Sequence, residues 1–244
     1  MHNTWVVFKR ELGSYFSTPI AYVFLVIFLF LNGIFGFYIG HFLQRNQADL
    51  MSFFSLHPWL YLVLVPAVSM RLWAEERRIG SVELLLTLPM SIGEAVLGKF
   101  LAAWAFTGIA LALTFPMWIM VNYLGNPDNG AIVTSYIGSF LVAGGFLAIG
   151  SCLSALTKNQ VIAFVLSVVV CLLFLLSGYP VVLDFFKDWA PAAVVSGISS
   201  FSVLSHYSSI TRGVVDLPDL IYFAALIAFW LFASAVTVDN KKAD

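Results

Sequence analysis

Charge is what this chain has least of. Only 10% of its 244 residues are Asp, Glu, Lys or Arg, against about 25% in soluble domains. The remainder is 61% hydrophobic, with a mean hydropathy of +0.94. That shortfall excludes an ordinary water-soluble domain and places the chain in the membrane class. No sign dominates either. The formal net charge is −1, so nucleic acid is not expected as a partner. Cysteine is limited to Cys152 and Cys171, both inside apolar runs, which gives no indication of a disulfide framework or a metal site. His2, His41, His57 and His206 are scattered and lack spacing such as H-E-x-x-H, so no metal centre is expected. No G-x-x-x-x-G-K-[ST] loop occurs. If nucleotide energy is used, another chain must bind ATP and Mg, and no cofactor is expected here. A cleavable leader pattern is also missing. Apolar residues 20–31 run on without a small-residue cleavage motif and are expected to stay as a membrane helix.

The apolar runs are long. Six spans are predicted near residues 20–42, 58–73, 92–121, 132–156, 161–183 and 220–238. Most exceed the roughly 20 residues that cross a hydrocarbon core, and lipid leaves them no choice but helix. The expected fold is an all-α membrane protein, one transmembrane domain over 1–244. Residues 2–18 precede the first span. Trp5, Phe8, Leu12, Tyr15 and Phe16 share one helical face while Lys9, Arg10, Gly13 and Ser14 lie elsewhere, the pattern of an amphipathic helix in the membrane interface. Val6 and Val7 interrupt that pattern. Lys and Arg set the orientation. With the N-terminus inside, Lys9, Arg10, Arg71, Arg77, Arg78, Lys99, Lys158, Lys241 and Lys242 face the cytoplasm, and only Arg45, Lys187 and Arg212 face out. Both termini are therefore expected in the cytoplasm of a bacterial inner membrane. No ionisable residue is read as lying deep within a span, which argues against an ion-driven transporter.

Residues 71–99 gather eight of the charged residues between two apolar runs. Arg71 and Glu75 lie one helical turn apart. Gly80 is a natural stop. Ser81 opens a short helix with Glu83 in its first turn, and Pro89 ends it. Ser91 and Glu94 have capping-box spacing and start the next span. Val82, Leu84, Leu85, Leu86 and Leu88 leave the short helix apolar nearly all round, and a protein partner would supply the cover it needs. Acids match bases in number here, which a pure topology signal does not require. The stretch reads as a docking element that a soluble motor grips.

Residues 178–218 form a long, apolar loop before the last span. A structureless loop of that length is unusual, so short helices dipping into the outer leaflet are expected, broken at Pro180, Pro191 and Gly197. Phe185, Phe186, Trp189, His206 and Arg212 are its candidate gate or dimer contacts. Ser205, His206 and Asp216 supply the inventory of a hydrolytic triad, but no nucleophile elbow accompanies them, and a triad is defined by geometry.

Pro66, Met70-Arg71, Glu75-Glu76-Arg77-Arg78, Gly80-Ser81, Glu83-Leu84-Leu85, Thr87-Leu88-Pro89 and Gly98-Lys99 resemble the motif between the second and third helices of type-2 ABC exporter permeases. The closest likeness is to the gliding-motility-associated subgroup. Residues 154–160 resemble that group's turn between helices four and five, and His206-Tyr207 through Arg212-Gly213-Val214-Val215-Asp216 its segment before helix six. The resemblance implies a six-helix permease that pairs with a second copy or a related permease and sits on two ABC ATPase subunits. It assigns Glu75, Glu76, Arg77, Arg78, Gly80, Ser81, Glu83, Leu84 and Leu85 to the coupling region that fits the ATPase. An accessory subunit on the outer face is compatible with it. A membrane scaffold that recruits a cytoplasmic protein without transport is the alternative reading of the same charged stretch.

Overall fold

The computed structural model describes residues 2–42, 44–45, 47–80, 90–187 and 191–241. Every regular element among them is helical. Helix α1 (His2–Ser17) turns at Thr18 into α2 (Pro19–Ile34). The Thr18 hydroxyl donates to the Tyr15 carbonyl at 3.0 Å, and Pro19 occupies the first turn of α2, where a missing N–H costs nothing. One π-helical turn, Phe35–Ile39, extends α2. Then come α3 (Met51–Ser55), α4 (His57–Ser69), α5 (Arg71–Ile79), α6 (Ile92–Ala112), α7 (Phe115–Leu124) and α8 (Asn129–Leu156). The rest is α9 (Gln160–Leu176), α10 (Pro180–Lys187), α11 (Ala192–Ser200), α12 (Val203–Thr211) and α13 (Leu217–Asn240).

Pro19–Ile39, Ile92–Leu124, Asn129–Leu156 and Leu217–Asn240 are each long and apolar enough to cross a membrane; α9 is apolar but shorter. The second expected span divides at Met70 into α4 and α5. The third bends at Thr114, just before Pro116. The fifth ends at Leu176 rather than continuing to residue 183, and α10 starts afresh on Pro180. Among the loop prolines, Pro180 and Pro191 open helices, as fixed φ and a missing donor favour. Gly197 breaks nothing, for α11 runs through it to Ser200.

At the centre lies α8, packed against α13, α4, α9, α12, α6 and α5. Its sequence explains the position. Gly144 faces the Trp104 indole, Gly145 faces Leu226, and Gly150 faces Ser69 of α4. Small residues let helices approach where lipid offers no hydrophobic drive to press them together. Ser139, Ser151 and Ser154 are completely or almost completely buried on the same helix. Gly98 of α6 does the same for α1, since a Cβ there would stand 2.8 Å from Val7.

That contact sets which residues of α1 meet the bundle. Val7 is 2% exposed and Trp5 is 54% exposed. The close approach allowed by Gly98 turns α1 so that Val7, which interrupts the apolar stripe in sequence, and Glu11 meet α6. Trp5 stays outside, stacked on Phe8 at 4.9 Å with Lys9 above its ring.

A methyl group at Gly150 would overlap the Ser69 side chain. Gly150→Ala is expected to destabilise the bundle by about 1–3 kcal/mol, the range for overpacking a filled core, measured as a lower thermal midpoint of the purified protein in detergent. Gly197→Ala, where nothing lies within 4 Å, is the matched control and should leave the midpoint in place.

Candidate functional site

Helix α5 carries most of the charged stretch, and the bundle holds it from two sides. Met70, its N-cap residue, has no side-chain acceptor to offer. The first N–H groups of a helix need one. Ser154 of α8 provides it: its hydroxyl accepts from the Trp73 and Ala74 N–H groups at 3.1 and 3.0 Å and donates to the Met70 carbonyl at 2.8 Å. A hydroxyl from another helix thus performs the work of a capping side chain and holds the α4–α5 bend. Pro66 weakens α4 one turn earlier by removing a backbone donor. The Trp73 indole donates to Ser151 Oγ at 3.2 Å, and Arg77 Nη1 donates to the Ala155 carbonyl at 2.8 Å. Arg77 and Lys241, which reaches the Leu156 carbonyl at 2.9 Å, together satisfy the last carbonyls of α8, as cations at a helix C-terminus should.

On the other side stands Lys99. It belongs to α6, begun about two turns earlier by the Ser91–Glu94 capping box, and is 2% exposed. Its Nζ lies 2.6 Å from Glu76 Oε1 and 3.2 Å from Glu11 Oε1, with the Trp73 ring 5.4 Å below. Arg10 Nη2 lies 2.6 Å from the same Glu11 oxygen. An ammonium taken out of water needs this replacement by carboxylates and an aromatic face. The arrangement corrects the grouping of Lys99 with loop cations: the capping box starts α6 early enough to carry its eighth residue inside. Burial pushes the Glu11 carboxyl up, but Lys99 and Arg10 outweigh it and hold the group below its ordinary range.

The anticipated coupling residues therefore separate. Glu75 pairs with Arg71, Nε to Oε2, at 2.9 Å, as their spacing implied. Glu76 and Arg77 point into the bundle. Arg78 is exposed, Ile79 is 66% exposed, and Gly80 ends α5 with φ 73° and its N–H on the Glu76 carbonyl. Ser81, Glu83, Leu84 and Leu85 lie outside the described residues, as do Trp189 and the side chain of Phe186. Sequence reasoning missed Glu11 and Ser154. Glu11 left one clue, being the only acid on an otherwise basic helix. Ser154 left none, because its role depends on which backbone atoms it meets.

At the far end of the bundle, the Tyr207 hydroxyl donates to the Phe54 carbonyl at 2.8 Å and meets Ser139 Oγ at 2.9 Å, which in turn meets His57 Nδ1 at 2.9 Å. This buried chain ties α12 to α3, α8 and α4. His206 contacts Asp219 Oδ1 at 2.6 Å and the Ser200 carbonyl at 3.1 Å, and stacks on Tyr222 at 4.0 Å. Both ring nitrogens are engaged, and neither is left to activate Ser205. Asp219, not Asp216, is the acid beside it. Arg212 is exposed beside a cavity of about 290 Å³ shared with Asp49 and Asp128, and Phe185 is 68% exposed. Arg212 borders that cavity, and neither Phe185 nor His206 is among the residues lining it.

Compared with known families, residues 5–215 match the model described as ABC-2 family transporter protein. No curated protein matches the chain.

Three outcomes follow from this geometry. Lys99→Met leaves two carboxylates facing each other and is expected to cost about 3 kcal/mol, the lower end for a broken buried pair because both acids retain some solvent; the thermal midpoint in detergent reads it. Glu11 stabilises the docking of α1 fully above the ordinary carboxylate pKa of about 4.3, and that stability is lost as pH falls through its lower folded value. Wild type should therefore lose more thermal stability than Glu11→Gln between about pH 6 and pH 3. Ser154→Ala orphans two buried N–H groups at about 1–3 kcal/mol each, so its midpoint should fall well below that of Ser199→Ala on the exposed face of α11.

Proposed function

The chain belongs to the ABC-2 transporter family, and from that premise we propose that it is the membrane half of an exporter driven by a separate ATPase. A permease subunit of an ABC transporter is a transport subunit and not itself the catalyst. ATP and Mg are bound by the partner ATPase chains. A second copy of this permease, or a related one, completes the membrane path. The motifs around residues 66–99, 154–160 and 206–216 favour the gliding-motility-associated branch of the family. Both termini lie in the cytoplasm of a bacterial inner membrane, so the end carrying α5 faces the ATPase and the end carrying α10–α12 faces out, where an accessory subunit has room to bind.

One observation carries the reading. Helix α5 is fastened along its length to α8 by Ser154, Ser151 and the Ala155 carbonyl, and to α6 by Lys99. It ends at Gly80 with Arg78 and Ile79 exposed. A push on the segment after Gly80 is therefore delivered to two membrane helices at once. Glu76 and Arg77 transmit that push from inside the bundle. Arg78, Ser81, Glu83, Leu84 and Leu85 supply the surface the ATPase grips.

The test uses charge reversal at the grip. Arg78→Glu combined with Glu83→Lys should leave the permease in the membrane with an unchanged thermal midpoint, while the ATPase subunit no longer co-purifies and substrate no longer stimulates ATP hydrolysis. Retention of a stimulated ATPase by that variant counts against the assignment. Recovery of a stoichiometric partner without ATPase activity would favour the scaffold reading instead.

A further inference from the structure

A cavity of about 480 Å³ opens between α1 and α5, lined by Arg10, Glu11, Ser14, Tyr15, Thr18, Arg71, Leu72, Glu75, Glu76, Ile79 and Lys99. Its volume lies within the range of small-molecule sites. The coupling role proposed above uses the outer end of α5 and leaves this space unexplained.

The charges on its walls are not all engaged. Lys99 is committed to Glu11 and Glu76. Arg71 uses Nε toward Glu75; among the described residues its two terminal nitrogens have no hydrogen-bond partner, and the side chain is 33% exposed. Arg10 binds Glu11 through one nitrogen and is half-exposed. Among the described residues Glu75 pairs with Arg71 alone, through Oε2, which leaves Oε1 for a new donor. Three cations and three carboxylates line the cavity, so its formal charge balances. A strongly anionic ligand gains little there. A ligand carrying both signs finds a guanidinium fork for its anion and a carboxylate one helical turn away for its cation.

Depth narrows the choice. Ser14 and Tyr15 belong to the last turn of α1 and Thr18 to the turn after it, and the next residue begins the apolar stretch Pro19–Ile39. The cavity therefore sits where chain enters hydrocarbon, at headgroup level. We infer that this cavity binds the headgroup of an aminophospholipid, with the phosphate on the Arg71 terminal nitrogens and Arg10 and the ammonium on Glu75. The shared chemistry is a phosphate ester bearing a protonated amine. Bound there, one lipid bridges the interfacial helix to α5, and the inference stands whether or not the chain exports.

Delipidated full-length protein in detergent provides the test, with phosphatidylethanolamine, phosphatidylglycerol, diacylglycerol, soluble phosphoethanolamine and inorganic phosphate as probes. Phosphatidylethanolamine should raise the thermal midpoint by a few degrees, more than phosphatidylglycerol does. Arg71→Gln should weaken its binding about tenfold or more, the worth of a charge-assisted hydrogen bond, without lowering the midpoint of the lipid-free protein. Glu75→Gln should erase the preference for phosphatidylethanolamine over phosphatidylglycerol. A response to soluble phosphoethanolamine as strong as to the lipid would support the site and assign it to a free phosphate ester. The inference is overturned if diacylglycerol works as well as phosphatidylethanolamine, if inorganic phosphate alone reproduces the effect, or if Arg71→Gln responds like wild type. Should Arg71→Gln fold poorly, Arg10→Gln, at an exposed position, must still weaken the response for the inference to survive.

Discussion

An ammonium group inside an apolar bundle must find carboxylates to replace the water it lost, and Lys99 imposes that condition on three helices. It rides on α6, takes Glu76 from α5 and Glu11 from α1, and rests over the Trp73 ring. The penalty for burying one such charge unpaired is several kcal/mol, comparable to the whole stability of many domains. So α1 cannot drift off as a loose interfacial anchor, and α5 cannot swing free, without exposing or stranding the lysine. The Val7–Gly98 contact adds shape to the same joint and sets which face of α1 turns inward.

The second restraint on α5 is built differently. Ser154, Ser151 and the Ala155 carbonyl offer no net charge, only hydrogen-bonding atoms placed where α5 has unsatisfied donors. They can reach because α8 is rich in small residues at the crossing with α4, where Gly150 abuts Ser69. A bend in α4–α5 that Pro66 only encourages is thus held by a neighbouring helix. In an ABC-2 permease this matters mechanically. A helix braced on one side by an ion cluster and on the other by a hydroxyl cap moves as a unit with its neighbours, and local slack is reduced at the end proposed to meet the ATPase.

Much of the local architecture could be read before any coordinates. The Arg71–Glu75 pair, the Gly80 stop and the Ser91–Glu94 box all form as spacing implied, since each depends on atoms within one helical turn. The long apolar runs emerged as helices for an equally local reason: lipid denies the backbone any external partner. Contacts that span distant parts of the chain were not legible in this way. Trp5 and Val7 are both apolar, yet Gly98, 91 residues from Val7, decides that Val7 is the one packed against α6. Glu76 and Arg77 look like exposed docking charges, yet Lys99 and the end of α8 claim them. His206 sits beside Ser205 in sequence, yet Asp219 and the Ser200 carbonyl occupy its ring.

Sequence alone determined that this is an all-helical membrane chain, where its main apolar helices lie, and which stretch concentrates charge. Those properties follow from composition and from interactions within a single turn. Only the tertiary structure decided which charges face inward, which helix caps α5, and that a mixed-charge cavity opens beside α1. A side chain's electrostatic partner is chosen by proximity in space, and proximity between helices 20 to 90 residues apart is set by how their small residues allow them to pack.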